Sequence, residues 1–142
     1  MKHLLAALIL TPTLGLADGI KIEQPIVPLA PPGSMVHAVF MKITNTGNMP
    51  RQLLGAVAEG YHTAHIHLSE EKDGIVSMTA VDVIEIVPGQ TVALEHGSFH
   101  IMLMRPIGEQ VEGDTVTLTL VFANGASETV DATVVKMIHG QS

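Results

Sequence analysis

The stretch TVTLTLVF at residues 115–122 decides the fold class, because apolar and polar side chains alternate along it with a period of two. Valine, leucine and phenylalanine side chains then lie on one face, and threonine side chains lie on the other. An Asn124-Gly125 turn follows, and residues 130–134 return with the same period. This pattern predicts an antiparallel β-hairpin that buries one of its two faces.

The remainder of the chain has the same character. Turn signals recur at short intervals, and the segments between them are rich in β-branched residues and too short for helices. Further strands are predicted at residues 35–44, 53–58, 64–69, 83–87, 91–94 and 101–104. Residues 18–34 contain four prolines and are predicted to form an edge strand that leads into a loop. About seven to nine antiparallel strands indicate an all-β Greek-key β-sandwich.

Composition excludes several classes of function. The chain has 142 residues, of which 46% are hydrophobic and 15% charged, as expected for one globular domain. A formal net charge of -7 gives no electrostatic reason to bind nucleic acid or an anionic membrane. The sequence contains no cysteine, which excludes a disulfide framework, a thiolate metal site, a thiol nucleophile and a blue-copper centre.

The first seventeen residues have the pattern of a secretory signal. A basic start at Met1–His3 precedes an apolar run at Leu4–Leu10, and small residues end the segment at Ala17. An N-terminal membrane anchor is the alternative, but the run is interrupted by Thr11–Thr13, short of the ~20 residues that span a bilayer. We therefore expect a signal peptide over residues 1–17, cleaved after Ala17, and a periplasmic domain over residues 18–142 that does not insert into the membrane.

Two predicted strands carry possible metal ligands. On the strand at 64–69, His65 and His67 share one face because side chains alternate along a strand. His100 and Met102 share one face of the strand that includes residues 101–104 in the same way. The sequence thus offers imidazole and thioether groups on strand faces.

A third segment returns another thioether to this region. The loop at 70–76, with Asp73-Gly74 at its tip, is predicted to bring Met78 back beside the end of the first strand. Thioether sulfur is soft and uncharged, and it binds Cu(I) much better than it binds Zn(II), Mg(II) or Ca(II). Methionine also cannot be trapped as a disulfide in an oxidising compartment. This donor set favours a Cu(I) site.

The spacing of these residues is specific. His67, Met78, His100 and Met102 form the pattern H-x10-M-x21-H-x-M. With 8 His and 8 Met in 142 positions, three further matches at fixed offsets arise by chance in roughly one case in 700, so the match carries weight. The pattern resembles the copper-binding motif of the PCu(A)C family of periplasmic copper chaperones. Other segments resemble the family as well: residues 38–45, 87–89, 100–103 and 113–116.

The resemblance implies a cupredoxin-like β-sandwich that is not an enzyme. It also implies that His67, Met78, His100 and Met102 bind one Cu(I) ion. The copper would be delivered toward the Cu(A) or Cu(B) centre of a haem–copper oxidase, together with a Sco-type thiol protein. For the exported domain itself we expect a monomer.

Other readings stay open. A periplasmic copper-storage or copper-resistance protein would use the same ligands, whereas a Cu/Zn oxidoreductase needs more His and an Asp bridge than the sequence offers. A structural or adhesive sandwich with incidental His and Met is opposed by the spacing. The His65-x-His67 pair can chelate Cu(II) or Zn(II), so an auxiliary role of His65 and a secondary Cu(II) site are not excluded. Met104 is expected to screen the site from water.

Overall fold

The computed structural model describes residues 19–137, and nearly all regular structure in this range is β. One short 3-10 turn at Ala123–Gly125 joins the last two strands. The all-β fold class is therefore confirmed. The ten strands of the described range are β1 (Ile20–Pro28), β2 (Val36–Asn45), β3 (Arg51–Ala58), β4 (Tyr61–Lys72), β5 (Ile75–Ala80), β6 (Ile84–Ile86), β7 (Thr91–Leu94), β8 (Phe99–Pro106), β9 (Thr115–Phe122) and β10 (Ser127–Val135).

The C-terminal hairpin has the predicted alternation. Strands β9 and β10 pair antiparallel, with Leu118 opposite Val130 and Val116 opposite Ala132. All four of these side chains are buried. On the other face, the Thr117 hydroxyl donates a 2.8 Å hydrogen bond to the Asp131 carboxylate. The period-two pattern alone was enough to predict which face of this hairpin enters the core.

The strands form two layers that share β2. The order of hydrogen-bonded neighbours is β5-β4-β8-β2-β1-β10-β9-β3-β6, and β7 also pairs with β2. The first half of β2, residues 36–39, pairs with β8, and the second half, residues 41–44, pairs with β7. One apolar core collects side chains from both layers, including Ile101 from β8 and Leu120 from β9. This arrangement is the sandwich that the strand pattern predicts.

The N-terminal strand differs from the prediction. We expected residues 18–34 to contain an edge strand, but β1 lies between β2 and β10, and its pairing with β10 is parallel. The prolines suggested an edge because proline cannot donate a ladder hydrogen bond. A register shift between Glu23 and Ile26 resolves the conflict: Gln24 adopts a φ of 51°, and Pro25 sits inside this bulge, where no ladder bond is needed.

The segment between β4 and β5 is also more regular than predicted. In place of a loop at 70–76, the two strands continue as a ladder in which Lys72 pairs with Ile75. Asp73 and Gly74 form a two-residue turn, with φ angles of 54° and 77°. Positive φ at both central residues matches the right-handed twist of a hairpin. The sequence did not predict this ladder, because the charged residues of the segment are typical of a solvated loop.

The predicted signal peptide at residues 1–17 lies outside the described residues. Between residues 19 and 137, the structure has no helix long and apolar enough to span a bilayer.

A buried polar pair links β2 to β4. Nδ1 of His37 and the Tyr61 hydroxyl form a hydrogen bond of 2.7 Å, and the two rings meet edge to face with centroids 5.5 Å apart. His37 is only 5% exposed. Burial lowers the pKa of His37 and raises the pKa of Tyr61, so both groups remain neutral and satisfy each other.

This pair predicts a pH-dependent stability. Because the pKa of His37 in the folded protein lies below its usual value of 6.5, the unfolded chain binds more protons between the two pKa values. The free energy of unfolding should therefore decrease as the pH falls below 6.5. Urea unfolding at acidic and neutral pH should show a shallower decrease for His37→Gln than for the wild type. The exposed neighbour His62→Gln is the control, and equal slopes for both variants would contradict the assignment.

Candidate metal centre

Strands β4 and β8 bring the two motif histidines together. Their register places His67 directly opposite His100, and Ile66 directly opposite Ile101. Directly paired residues of antiparallel strands project to the same side, so the two imidazoles share one face. The two isoleucines project to the other face and are buried in the core. The sequence therefore predicted correctly which side of these strands carries the candidate ligands.

The two rings are close enough to serve one ion. Their centroids lie 6.0 Å apart, and their planes are inclined by 23°. Two imidazoles bound to the same metal through bonds of about 2 Å have centroids at most ~6.3 Å apart. The separation of His67 and His100 falls within this limit.

A backbone carbonyl orients His100. Nδ1 of this ring lies 3.1 Å from the carbonyl oxygen of Ser98, and a carbonyl oxygen can only accept. Nδ1 of the neutral ring therefore carries the proton, and Nε2 keeps the lone pair that a metal requires. The Ser98 carbonyl also accepts from the Ser69 amide at 3.1 Å, which fixes its position. The sequence does not predict this contact, because the acceptor is a backbone carbonyl, which every residue carries.

His67 has an unsatisfied ring nitrogen. Its Nδ1 atom is buried and has no hydrogen-bond partner among the described residues. A buried nitrogen without a partner costs roughly 1–3 kcal/mol. Folded proteins rarely leave such a group unpaired without a reason. A neutral imidazole nitrogen without a hydrogen-bond partner is free to bind a metal ion, and the ring therefore fits a metal-binding role.

The two motif methionines lie on either side of the histidine pair. Met78 of β5 is opposite Ser69, which lies two residues from His67 along β4 in the direction of the turn. Met102 of β8 is opposite His65 and lies two residues from His100 along β8, in the other direction. Diagonal neighbours on a sheet face are ~7–8 Å apart, which long side chains can span. All four predicted ligands thus occupy one face, which we call the His–Met face.

The predicted ligands differ strongly in exposure. His100 is 5% exposed, whereas Met78 is 57% exposed and lies on the outermost strand of this layer. Met102 is half-buried. The site is therefore anchored in β8 and open at β5.

The neighbouring candidates occupy the same face. His65 is exposed and lies opposite Met102, not opposite a histidine. Met104 follows one step further, opposite Thr63, and is half-buried. In the part of the chain from 19 to 137, no three His, Asp or Glu side chains are grouped so that they could hold a metal ion. The imidazoles of the face therefore come as a pair, with thioethers as the remaining donors nearby.

Comparison with known families adds the evolutionary context. A family described as "Putative lipoprotein LpqE-like" matches residues 20–134. The chain belongs to the LpqE-like family. A relative from Leifsonia xyli subsp. xyli, "Putative lipoprotein Lxx21020", is 30% identical over 115 residues, which cover 80% of this chain and 68% of the relative. The family match runs from the start of β1 into β10 and includes every residue of the His–Met face.

Solved structures with the same fold include PCuAC domains. The copper-bound PCuAC domain from PmoF2 superposes with a TM-score of 0.70 at 24% identity, covering 84% of this chain and 94% of that domain. The solution structure of CuI-DR1885 from Deinococcus radiodurans gives a TM-score of 0.69 at 28% identity, covering 88% of this chain and 85% of that one. The fold expected from the resemblance is confirmed, while the family match is to LpqE-like proteins.

The two histidines should respond differently to replacement in the metal-free protein. His67→Leu removes a buried nitrogen that has no partner, so the free energy of unfolding of the metal-free protein should rise by about 1 kcal/mol. His100→Leu removes the bond to Ser98, so the free energy of unfolding should fall by about 1 kcal/mol. Both variants lose the ring contact, so each serves as the control of the other. Equal losses in urea unfolding would show that the unpaired nitrogen is not a feature of the folded protein.

Proposed function

We propose that this protein is an exported copper chaperone that carries one Cu(I) ion bound by His67, Met78, His100 and Met102. The observation that supports it best is the histidine pair, in which Nδ1 of His67 lacks a partner and Nε2 of His100 keeps its lone pair. Copper is here a cargo that enters and leaves, and no reaction is assigned to the site.

The donor chemistry favours Cu(I) over other ions. Two imidazoles and two thioethers are neutral, so the bound ion keeps its charge, and a monovalent ion is the least costly to hold. Mg(II) and Ca(II) prefer oxygen ligands, which none of the four proposed ligands supplies. Zn(II) prefers imidazole together with thiolate or carboxylate, and of these the proposed set offers imidazole alone. Thioether sulfur is a soft ligand, which suits Cu(I).

The distribution of exposure suits a carrier. Met78 is the most exposed of the four groups, so an incoming ligand can reach the ion from the β5 side. His100 is buried and held by a backbone carbonyl, so the other side of the site remains rigid. A partner can thus replace Met78 first while His100 still holds the copper.

The relatives support both parts of the proposal. Solved structures that share this fold include a copper-bound PCuAC domain and a Cu(I) form of a Deinococcus radiodurans protein. The lipoprotein names of the family and of its Leifsonia relative agree with export. We further propose, from the resemblance to PCu(A)C proteins, delivery toward the copper centre of a haem–copper oxidase together with a Sco-type thiol protein. Copper storage is the alternative that uses the same ligands.

A competition titration tests copper binding. The purified protein should withdraw one equivalent of Cu(I) from the chromophoric chelator bicinchoninate in reducing buffer, and Zn(II) should bind far more weakly. A stoichiometry near zero, or equal affinity for Zn(II), would contradict the proposed function.

Substitution of the methionines tests the ligand assignment. Met78→Leu and Met102→Leu conserve volume, so unfolding of the metal-free protein should change by less than ~1.5 kcal/mol. Cu(I) affinity should fall about tenfold or more in each, because leucine offers no lone pair to the metal. Met49→Leu is the matched control, since Met49 is 69% exposed and lies outside the His–Met face. Variants that lose stability but keep their copper would show that these methionines serve packing alone.

The pH dependence of Cu(I) affinity tests the histidines. A metal ligand must be the neutral imidazole, so protons compete with copper and affinity should decrease from about pH 7 to pH 5. The double variant His67→Ala with His100→Ala should bind weakly and with a much flatter pH profile. His65→Ala should keep most of the slope. If His65→Ala flattens the profile as much as the double variant does, the site is centred on His65 and His67.

A further inference from the structure

The two ends of the strand order are protected very differently. At one end, β6 is only three residues long, and two of its three side chains are buried. At the other end, β5 has six residues, all of them exposed. Its sequence IVSMTA contains no charge, proline or glycine. Edge strands normally carry such features or are very short, because an open edge can pair with another chain.

The open edge also displays large apolar side chains. Ile75 is 70% exposed, Val76 is 63% exposed and Met78 is 57% exposed. Ile75 projects to one side of the strand, whereas Val76 and Met78 project to the other, so neither side of β5 is covered. A contiguous apolar surface of this kind on a folded protein marks an interaction site.

Carboxylates flank this uncharged strand at both ends. Asp73 lies in the turn that precedes β5, Glu71 lies near the end of β4 opposite Val76, and Asp82 follows β5. All three are exposed. Lys72 is the one cation at these positions, so the ends of the strand are acidic overall, like the chain with its net charge of -7.

These charges indicate which occupant fits the edge. Antiparallel pairing of β5 with β5 of a second copy would bring Asp73 of each copy beside Asp82 of the other. Like charges opposed across a strand pair are destabilising. A segment of another protein with basic residues at its two ends would meet attraction at the same positions.

We propose that β5 is a docking edge for an extended segment of a partner protein, uncharged in its middle and basic at both ends, which pairs with β5 as an added strand. Backbone hydrogen bonds would provide the affinity, and the end charges would select the partner.

The docking edge is continuous with the His–Met face. A strand added beside β5 places alternate side chains next to Met78, the most exposed of the proposed ligands. The partner's own metal ligand could then enter as the Met78 thioether leaves. This connection to copper rests on the proposed function, whereas docking itself requires no metal.

Two synthetic peptides test the docking edge. They share one uncharged seven-residue core of alternating Thr and Val and differ only at the ends, with lysine at both ends of one and glutamate at both ends of the other. Added to the ¹⁵N-labelled metal-free protein, the lysine peptide should shift the amide signals of residues 75–80. The glutamate peptide should bind about tenfold more weakly. Higher salt should reduce the difference, because screening weakens exposed charge pairs.

Matched variants locate the contact. Val76→Lys places a positive charge on the edge and should abolish the shifts. Val57→Lys alters a valine of similar exposure, 66%, on β3 and should leave them unchanged. A thermal unfolding curve of each variant verifies that it is folded.

Three results would overturn the proposal: no shifts at millimolar peptide, equal binding of both peptides, or shifts outside the edge that Val76→Lys does not affect. Concentration-dependent dimerisation that Val76→Lys abolishes would instead identify a second copy as the occupant. Because these measurements use metal-free protein, they are independent of the Cu(I) titration. Failure of one therefore does not decide the other.

Discussion

The register between β4 and β8 is the constraint on which the site depends. It pairs His67 with His100 on one face and Ile66 with Ile101 on the other. A slip of one residue would move every side chain of β4 to the opposite face. It would bury His67 in the core and expose Ile66. The apolar core therefore enforces the placement of the imidazoles, and the stability of the sandwich and the geometry of the His–Met face are two results of one alignment.

The same alignment places one rigidly held candidate ligand and one accessible candidate ligand on the same sheet face. Strand β8 lies inside the layer, and its His100 is buried and held by the Ser98 carbonyl. Strand β5 lies at the edge, and its Met78 is exposed. A carrier needs both properties, because ligands that hold the ion must coexist with one that can be displaced. Their separation over three neighbouring strands lets a single sheet face provide both.

Two local features run against stability, and both lie at this site. Nδ1 of His67 is buried without a partner, and β5 is an uncharged open edge. Local rules of folding are commonly broken at functional sites and offset elsewhere. Here the offset comes from the continuous core, in which Ile101, Leu103 and Leu120 have no exposed surface. The proposed metal ion and the proposed partner strand would each account for one of these two exceptions.

Much of this protein was determined by local sequence pattern. Alternation with a period of two identified the strands and assigned Val116 and Leu118 to the core, and it put His67 and His100 on faces opposite to isoleucines. Local pattern failed where the decisive contact was distant in sequence. The bulge at Pro25 lets β1 pair with two strands and occupy the sheet interior, and that pairing depends on β2 and β10. The buried, unpaired nitrogen of His67 and the open edge of β5 likewise arise only after strands far apart in the described part of the chain have assembled. The period of the side chains depends on neighbouring residues, whereas the pairing of a strand and the exposure of a side chain depend on the whole fold.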